Sequence, residues 1–474
     1  HIVGTVNMFT PMEGLALLAS FTLIFGVMAY FISWLFTKEY SFSKAQFLLA
    51  DRKLGFWESS FSIAATWIWA PALFVSAQKA FTNGWIGLFW FLVPNIICLL
   101  LFSYFAVLIK RKFPDGYTLS EFMKQTYSPR VQSVYWVTLV GLTVCAFAVQ
   151  LLAGGKLIAS MTGISYLFAT LILAAIPLTY SLVFGLKASI ITDFVKMTMI
   201  IMLGAILVPL VLNGAGGMQA VVDGLGGVKG NYLDFFTQDS WMLFLTFGLP
   251  TTIGLLSGPF GDQSFWQRAF ATKEDTVKKS FVAAAFIFGI VPLIMGIIGF
   301  AAAGSHLAVK DPQMVNLEMI YSVLGTFGAA VFFILAMSAL TSIIDSKLCS
   351  VSSIAGHDMA DRFGFSFMKS SRIAMVVLTL VAIAIANIPD LKILHLFLFY
   401  GTLRSATMLP TIMSLLGKKL AEARVFYGII AGIVVGLPIF AYGNFNAKPE
   451  WIVTGSLLTV LLPYFITLGK TNQG

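Results

Sequence analysis

The sequence predicts an all-α integral membrane protein whose helices form two inverted five-helix repeats. Three observations predict this class: the apolar content, the length of the apolar stretches, and interruptions in two of them. Of the 474 residues, 58% are hydrophobic and only 11% are charged. Soluble domains carry about 25% charged residues. A soluble fold could not bury this much apolar surface, so we expect lipid to cover it.

Helices that cross a membrane need about 20 predominantly apolar residues. We predict about thirteen such spans from the apolar stretches of the chain. They lie at about 11–36, 55–82, 85–109, 131–161, 164–185, 188–213, 240–266, 280–304, 322–356, 371–388, 391–416, 425–443 and 450–469.

The charges orient these spans. With the N-terminus outside and the C-terminus inside, most of the 30 lysines and arginines, Arg268 among them, fall in inner segments. This is the asymmetry of the positive-inside rule, and it also removes the nucleic-acid partner that the net charge of +9 would otherwise suggest. The outer segments hold Lys79, Lys156, Lys229, Lys310, Lys392 and Lys448, and the spans hold Lys196, Lys347 and Arg404.

Two spans are interrupted at corresponding places. The second reads SIAATWIWAPALFVSAQ, with Pro71 in its middle, and the seventh reads FGLPTTIGLLSGPFGDQSFWQRA, with Gly258 and Pro259. Prolines remove a helical hydrogen bond, and freed backbone groups at lipid depth occur only where protein buries them or a cavity is lined. Breaks five spans apart predict inverted repeats with a binding site near the midplane. The single transmembrane domain of residues 1–474 then comprises an extra helix at 11–36, repeat one at 55–213, repeat two at 240–416 and extra helices within 425–469.

Three segments carry a family resemblance that covers roughly residues 12–470. GDQSFWQRAFA (261–271), ASIITDFVKM (188–197) and SVSSIAGHDM (350–359) resemble the solute:sodium symporter family. The resemblance implies the LeuT-type fold, a place in the plasma or inner membrane, and sodium-driven uptake of a small polar solute by alternating access. ATWIWAPALF and ALTSIIDSKL are most similar to plant and fungal urea symporters of that family, which implies urea or a related compound.

The resemblance also implies a shared sodium site. Its oxygen ligands are the carbonyls of Ala65, Ile68 and Ala339 and the hydroxyl of Ser342. The family's second hydroxyl falls on Ile343, which has none. One ligand of the shared site is therefore missing from this sequence.

The stretch LTSIIDSK places a carboxylate inside the ninth span. Asp345 follows Ser342 by three residues, so both lie on one helix face. Ionisable residues within spans are candidates for function. The resemblance implies a second sodium site here, with Ser342, Asp345, Ser346 and Asp193 as ligands.

Other interpretations of these charges stay open. Lys347 is two residues from Asp345 and faces another side of the helix, so it should point elsewhere. Asp193 could form a structural ion pair with Lys196. Either aspartate could instead carry a proton, since a buried carboxylate without a partner binds protons more tightly. Proton coupling is therefore the alternative to sodium.

We expect the solute between the two breaks, where aromatic walls with few polar groups suit a small molecule. Trp67 and Trp69 are two residues apart and cannot both face a cavity from a regular helix, so packing is the alternative for either. The candidate solute-binding residues are Thr66, Trp67, Trp69, Gln78, Gln150, Ser257, Gly258 and Phe260.

Arg404 in the eleventh span is the remaining buried charge. We favour a structural role for it, with Asp262 as the partner. A place at the cavity would instead point to an organic anion or an amino acid as the solute.

The sequence disfavours an enzyme. Its glycine-rich segment at 214–230 lacks the lysine–serine/threonine ending of a phosphate loop, and four scattered histidines do not form a zinc site. A transporter-like sensor is the other class, but such relatives carry a long cytoplasmic domain, whereas this chain ends about five residues after its last span. We therefore expect a symporter rather than a sensor, of undetermined oligomeric state.

Overall fold

The computed structural model describes residues 8–37 and 43–469. This described part is helical, with one isolated β-bridge between Leu54 and Thr272. The predicted all-α membrane class is confirmed. The helices are α1 Pro11–Phe21, α2 Ala29–Thr37, α3 Lys44–Leu49, α4 Phe56–Trp67, α5 Ala70–Lys112, α6 Leu119–Thr126, α7 Pro129–Thr162, α8 Tyr166–Ala215, α9 Met218–Asp223, α10 Gln238–Leu243, α11 Leu249–Leu256, α12 Gln263–Ala271, α13 Val277–Gly304, α14 Val315–Ser353, α15 Ala360–Phe363, α16 Phe367–Ala386, α17 Ile393–Ser405, α18 Met408–Leu415, α19 Glu422–Ala431, α20 Leu437–Asn446 and α21 Pro449–Leu468.

Some predicted spans run on into one another. Within the described residues, nine helical stretches are long and apolar enough to cross a membrane. The stretch α8 contains the spans predicted at 164–185 and 188–213, which meet at Gly185 (φ 66°), and α5 joins the second half of the span predicted at 55–82 to the span at 85–109 through Gly84 (φ 60°). Only glycine adopts such angles readily, so these residues bend the chain where we expected separate spans. The count of thirteen stays a prediction.

Both predicted breaks are confirmed. After α4 ends at Trp67, Ile68 (φ −82°, ψ 74°) and Trp69 (φ −80°, ψ 168°) leave the helical conformation, and α5 restarts with Pro71 in its first turn. In the seventh span the backbone turns through residues 257–262 between α11 and α12. Pro71 fits the first helical turn because its missing N–H would have no partner there.

The two broken spans are joined at one end by the Leu54–Thr272 bridge. The Leu54 amide donates to the carbonyl of Ala271 (3.1 Å), and the Lys273 amide donates to the carbonyl of Leu54 (3.1 Å). The hydroxyls of Ser59 and Thr272 are 2.8 Å apart. The start of α4 and the end of α12 are thereby held together on the face that we predict to be cytoplasmic.

Candidate functional site

A small cavity lies between the two breaks, where the sequence predicted the solute. Its volume is about 10 Å³, about the space that one water molecule needs, so its walls must move apart to admit a larger solute. Residues from both repeats line it, so the site is formed by the packing of the two broken spans. The lining residues are Trp67, Trp69, Pro71, Ala72, Phe91, Asn95, Leu255, Phe397, Tyr400 and Arg404.

Trp67 and Trp69 both line this cavity. The non-helical Ile68 between them breaks the helical phase that would have separated the two rings. Their indole N–H groups are already used: Trp67 donates to the Asn95 carbonyl (3.3 Å), and Trp69 donates to the Thr66 carbonyl (2.6 Å). The two rings therefore act as walls rather than as hydrogen-bond donors to a solute.

Arg404 also faces the cavity, which is the place that the sequence analysis linked to an anionic solute, and Asp262, its expected partner, pairs with Lys347 instead. The Nε of Arg404 donates to the Gly254 carbonyl (2.7 Å), and the guanidinium carbon lies 5.3 Å from the Trp67 ring centroid, 5.2 Å from that of Trp69 and 5.4 Å from that of Tyr400. The sequence could not place it because the break at residues 257–262 opens the space into which the side chain extends.

Three other predicted solute residues lie at the breaks. A Cβ atom on Gly258 would come within 2.4 Å of the Trp67 ring, so only glycine fits beside it. Gln150 accepts a hydrogen bond from the Ala70 amide (2.8 Å) and thereby caps the first turn of α5. The hydroxyl of Thr66 lies 3.2 Å from that of Ser346 and so faces the ion-pair region described below.

None of these three residues lines the cavity, and neither do the remaining three. The Ser257 hydroxyl is bound within its own helix, to the Ile253 carbonyl (2.6 Å). The Phe260 ring packs against Phe102, 5.3 Å away, because the turn after Ser257 carries it into an aromatic cluster of the core. Gln78 lies two helical turns beyond the first break, and its side-chain oxygen is buried without a hydrogen-bond partner among the described residues.

Asp193 is buried in a polar cluster beside the first break. It accepts hydrogen bonds from Ser62 (2.8 Å) and from Ser342, and the Arg268 guanidinium lies 3.4 Å away. The predicted proximity of Asp193 and Ser342 is therefore confirmed. Lys196 is not its bonded partner, so the structural pair that we considered is replaced by a pair with Arg268.

Asp345 is fully buried and engages Lys196. The lysine Nζ lies 2.9 Å from one carboxylate oxygen, which also accepts from Tyr180 (2.7 Å), and Ser189 donates to the other oxygen at 2.5 Å. Ser346, its neighbour, accepts from Arg268 at 2.9 Å. The two carboxylates of the predicted second sodium site are thus each held by a protein cation.

Lys347 points away from Asp345, as predicted, and pairs with Asp262. It also donates to the Ser264 hydroxyl (3.1 Å). Asp262 in turn accepts from the Ser264 amide (2.9 Å) and caps α12. This pair uses the carboxylate that we had assigned to Arg404.

Arg268 is the functional candidate that the sequence analysis missed. We counted it among the inner-loop charges, but its side chain is fully buried in α12. It donates to Ser62 (3.0 Å) and to the Ser264 carbonyl (3.2 Å) as well as to Ser346. Two basic residues, Arg268 and Lys273, flank the end of this span, and the pattern of charges did not tell which would turn inward.

The oxygens of the predicted shared sodium site lie where α4 ends and in the middle of α14. Ala65, Ile68, Ala339 and Ser342 are all fully buried, and Ile343 is buried beside them without an oxygen. Carbonyl and hydroxyl oxygens suit sodium, so the chemistry of this donor set agrees with the ion, and the shared site stays a prediction. The inner set fits it less well, because Lys196 and Arg268 already neutralise its carboxylates.

Comparison with known proteins places these features in a family. The family model described as "Sodium:solute symporter family" matches residues 47–432. Urea-proton symporter DUR3 of Oryza sativa subsp. japonica is 21% identical over 97% of this chain and 71% of its own length. The Sodium/pantothenate symporter of Haemophilus influenzae is 26% identical over 80% of this chain and 78% of its own length.

Solved structures agree on the fold. A Na+-coupled sialic acid symporter in a substrate-bound outward-open state aligns with a TM-score of 0.77 at 17% identity, over 96% of this chain and 97% of its own. MhsT in complex with L-phenylalanine aligns with a TM-score of 0.53 at 14% identity, over 88% of this chain and 98% of its own. At these identities the likeness concerns the fold alone, and it agrees with the predicted LeuT-type architecture.

Proposed function

Because the chain belongs to the sodium:solute symporter family, we propose that it is a secondary active symporter that couples sodium entry to the uptake of a small polar organic solute. One observation carries the proposal: two helix breaks meet at a single cavity, and the first break also ends at the oxygens predicted to bind the cation. We place the protein in the cell membrane, with its N-terminus outside.

The coupling follows from the geometry of the first break. The predicted cation ligands Ala65 and Ile68 and the cavity walls Trp67 and Trp69 share one non-helical segment. A cation that orders this segment also orders the walls of the solute cavity. Coupling free energies are reciprocal, so the solute must favour cation binding by the same factor. Alternating access around this fixed site would complete the cycle.

The relatives suggest the chemical class of the solute. The proteins similar to this chain include symporters of urea, pantothenate and proline, all small polar organic molecules. We propose that a small polar organic compound is carried, and urea or a related compound is one candidate.

A proton gradient is the second candidate for the driving force. It is favoured by Ile343, which removes one oxygen from the shared cation site, and by Lys196 and Arg268, which hold the inner carboxylates. The relative from Oryza sativa subsp. japonica is itself described as a urea-proton symporter.

Flux in proteoliposomes with separately imposed gradients tests the proposal. Uptake of radiolabelled urea, proline and pantothenate is measured with an inward sodium gradient at equal pH, and with an acid exterior at equal sodium. We expect sodium-driven accumulation of at least one solute. Accumulation only with an acid exterior would support the second candidate, and binding without any accumulation would support a sensor.

A paired substitution tests the cation ligand. Ser342→Ala removes the hydroxyl of the shared site, whereas Ser338→Ala removes one a helical turn earlier, which is bound within its own helix at 2.8 Å. We expect the first variant alone to raise the sodium concentration for half-maximal uptake, by about tenfold, the equivalent of 1.4 kcal/mol. Equal sodium dependence of both variants would contradict the site.

A further inference from the structure

We propose that the solute carries a carboxylate, which the Arg404 guanidinium and the Tyr400 hydroxyl bind inside the aromatic cavity. The inference rests on the proposed function and names the solute class of that same cavity. It starts from two polar groups that the folded protein leaves unsatisfied.

Both groups are buried and line the cavity. The Arg404 side chain is 1% exposed and that of Tyr400 is 0% exposed. Among the described residues, neither the Arg404 Nη1 nor the Tyr400 hydroxyl has a hydrogen-bond partner. Leaving a buried donor unsatisfied costs about 1–3 kcal/mol, and more for a charged group. A ligand that accepts from both would recover this cost.

The charge of the site favours an anion. The described residues give Arg404 no ion pair, and the nearest candidate, Asp262, is held by Lys347. Among the described residues, no aspartate or glutamate lines the cavity. Three aromatic faces attract the guanidinium but carry no negative charge that would neutralise it. A neutral solute would leave the positive charge uncompensated, whereas a carboxylate neutralises it with charge-assisted hydrogen bonds.

The rest of the cavity restricts the remainder of the solute. The indole N–H groups of Trp67 and Trp69 are used within the protein, and Phe91, Leu255 and Phe397 supply apolar surface. Because the lining has no carboxylate for an ammonium group, the favoured solute is a small monocarboxylate without an amine.

The test is binding and competition with purified full-length protein. Acetate, pyruvate, lactate and benzoate are titrated by calorimetry, with urea and proline as comparators, at constant sodium and pH. We expect at least one monocarboxylate to bind more tightly than urea and proline. Arg404→Gln should weaken its binding by about 30-fold or more, because truncating one partner of a buried charged hydrogen bond costs at least about 2 kcal/mol.

Two controls keep the outcome interpretable. Arg111→Gln removes an arginine whose side chain is 66% exposed and should leave carboxylate binding unchanged. Tyr400→Phe removes only the hydroxyl and should weaken carboxylate binding by about fivefold, the equivalent of one hydrogen bond of about 1 kcal/mol. Both variants should keep the parent's gel-filtration profile.

Urea or proline binding that exceeds that of every monocarboxylate and is unaffected by Arg404→Gln would overturn the inference while leaving the symport proposal intact. Carboxylate binding without gradient-driven uptake would support the inference and contradict the symport proposal.

Discussion

Two groups of buried charge in this molecule differ in how they are compensated. In the polar cluster beside the first break, Lys196 lies on Asp345 and Arg268 on Asp193, and every one of these charges has a partner. In the cavity, the described residues give Arg404 one backbone carbonyl and three aromatic rings as partners, but no carboxylate. The charges of the polar cluster neutralise one another, whereas a bound anion would be needed to neutralise Arg404. This difference distinguishes buried charges that stabilise the fold from the one that we propose binds the solute.

Breaking one pair of the polar cluster should have the largest effect. Asp345→Asn leaves the Lys196 ammonium buried without a counter-charge, and we expect the free energy of unfolding to fall by about 3–5 kcal/mol. Denaturation in detergent solution measures it.

The double variant Asp345→Asn with Lys196→Met is the control. Removing both charges should restore most of the lost stability. If the single variant is as stable as the parent protein, the pair does not compensate a buried charge in the way described here.

The same contrast can be drawn between the two buried arginines. Arg268→Met strands the Asp193 carboxylate and should cost about 3–5 kcal/mol, whereas Arg404→Met strands no carboxylate and should cost clearly less. Both side chains are almost fully buried, so each variant is the control for the other. Equal losses would mean that Arg404 has a structural role after all.

A methyl group added beside a cavity wall tests the part of the comparison that concerns solute binding. In Gly258→Ala the new methyl group comes within 2.4 Å of the Trp67 ring and 2.9 Å of the Leu255 carbonyl oxygen, so the surrounding groups must shift. We expect the solute to bind at least about tenfold more weakly, with a loss of stability of about 1–3 kcal/mol from overpacking. Gly55→Ala is the matched control, because nothing lies within 4 Å of a Cβ atom there. Unchanged uptake by the first variant would remove Gly258 from the solute site.

The smallest expected effect is a gain. Ile343→Thr places a hydroxyl where the shared cation site lacks one and keeps the branch at Cβ in a smaller side chain, and Ile344→Thr makes the same change one residue later. Only the first should lower the sodium concentration for half-maximal uptake, by about fivefold for one added oxygen ligand of about 1 kcal/mol. Identical behaviour of the two variants would argue for the proton.

The sequence predicts the two helix breaks more readily than the pairing of the buried charges. Pro71 and the glycines around Pro259 act locally, because a missing N–H or a turn interrupts a helix wherever the residue falls. Which cation meets which carboxylate depends on the relative rotation of α8, α12 and α14, and one chain's pattern does not contain it. Lys347 could be directed away from Asp345 by helical phase alone, but its partner Asp262 could not be predicted.

Trp67 and Arg404 show the same limit. Helical spacing separates Trp67 from Trp69, yet Ile68 leaves the helix and both rings reach one cavity. Arg404 was given a carboxylate on the general expectation that buried guanidinium groups are paired. The Nη1 atom of Arg404 has no hydrogen-bond partner among the described residues, and this departure from the expectation could be seen only in the structure.

The Leu54–Thr272 bridge limits how far the two broken spans can separate at one end. Its two backbone hydrogen bonds join the segment before α4 to the end of α12. Each such bond contributes only about 0.5–1.5 kcal/mol net, so both can break and form again by thermal motion. The two broken spans could separate at this end only after both hydrogen bonds had broken.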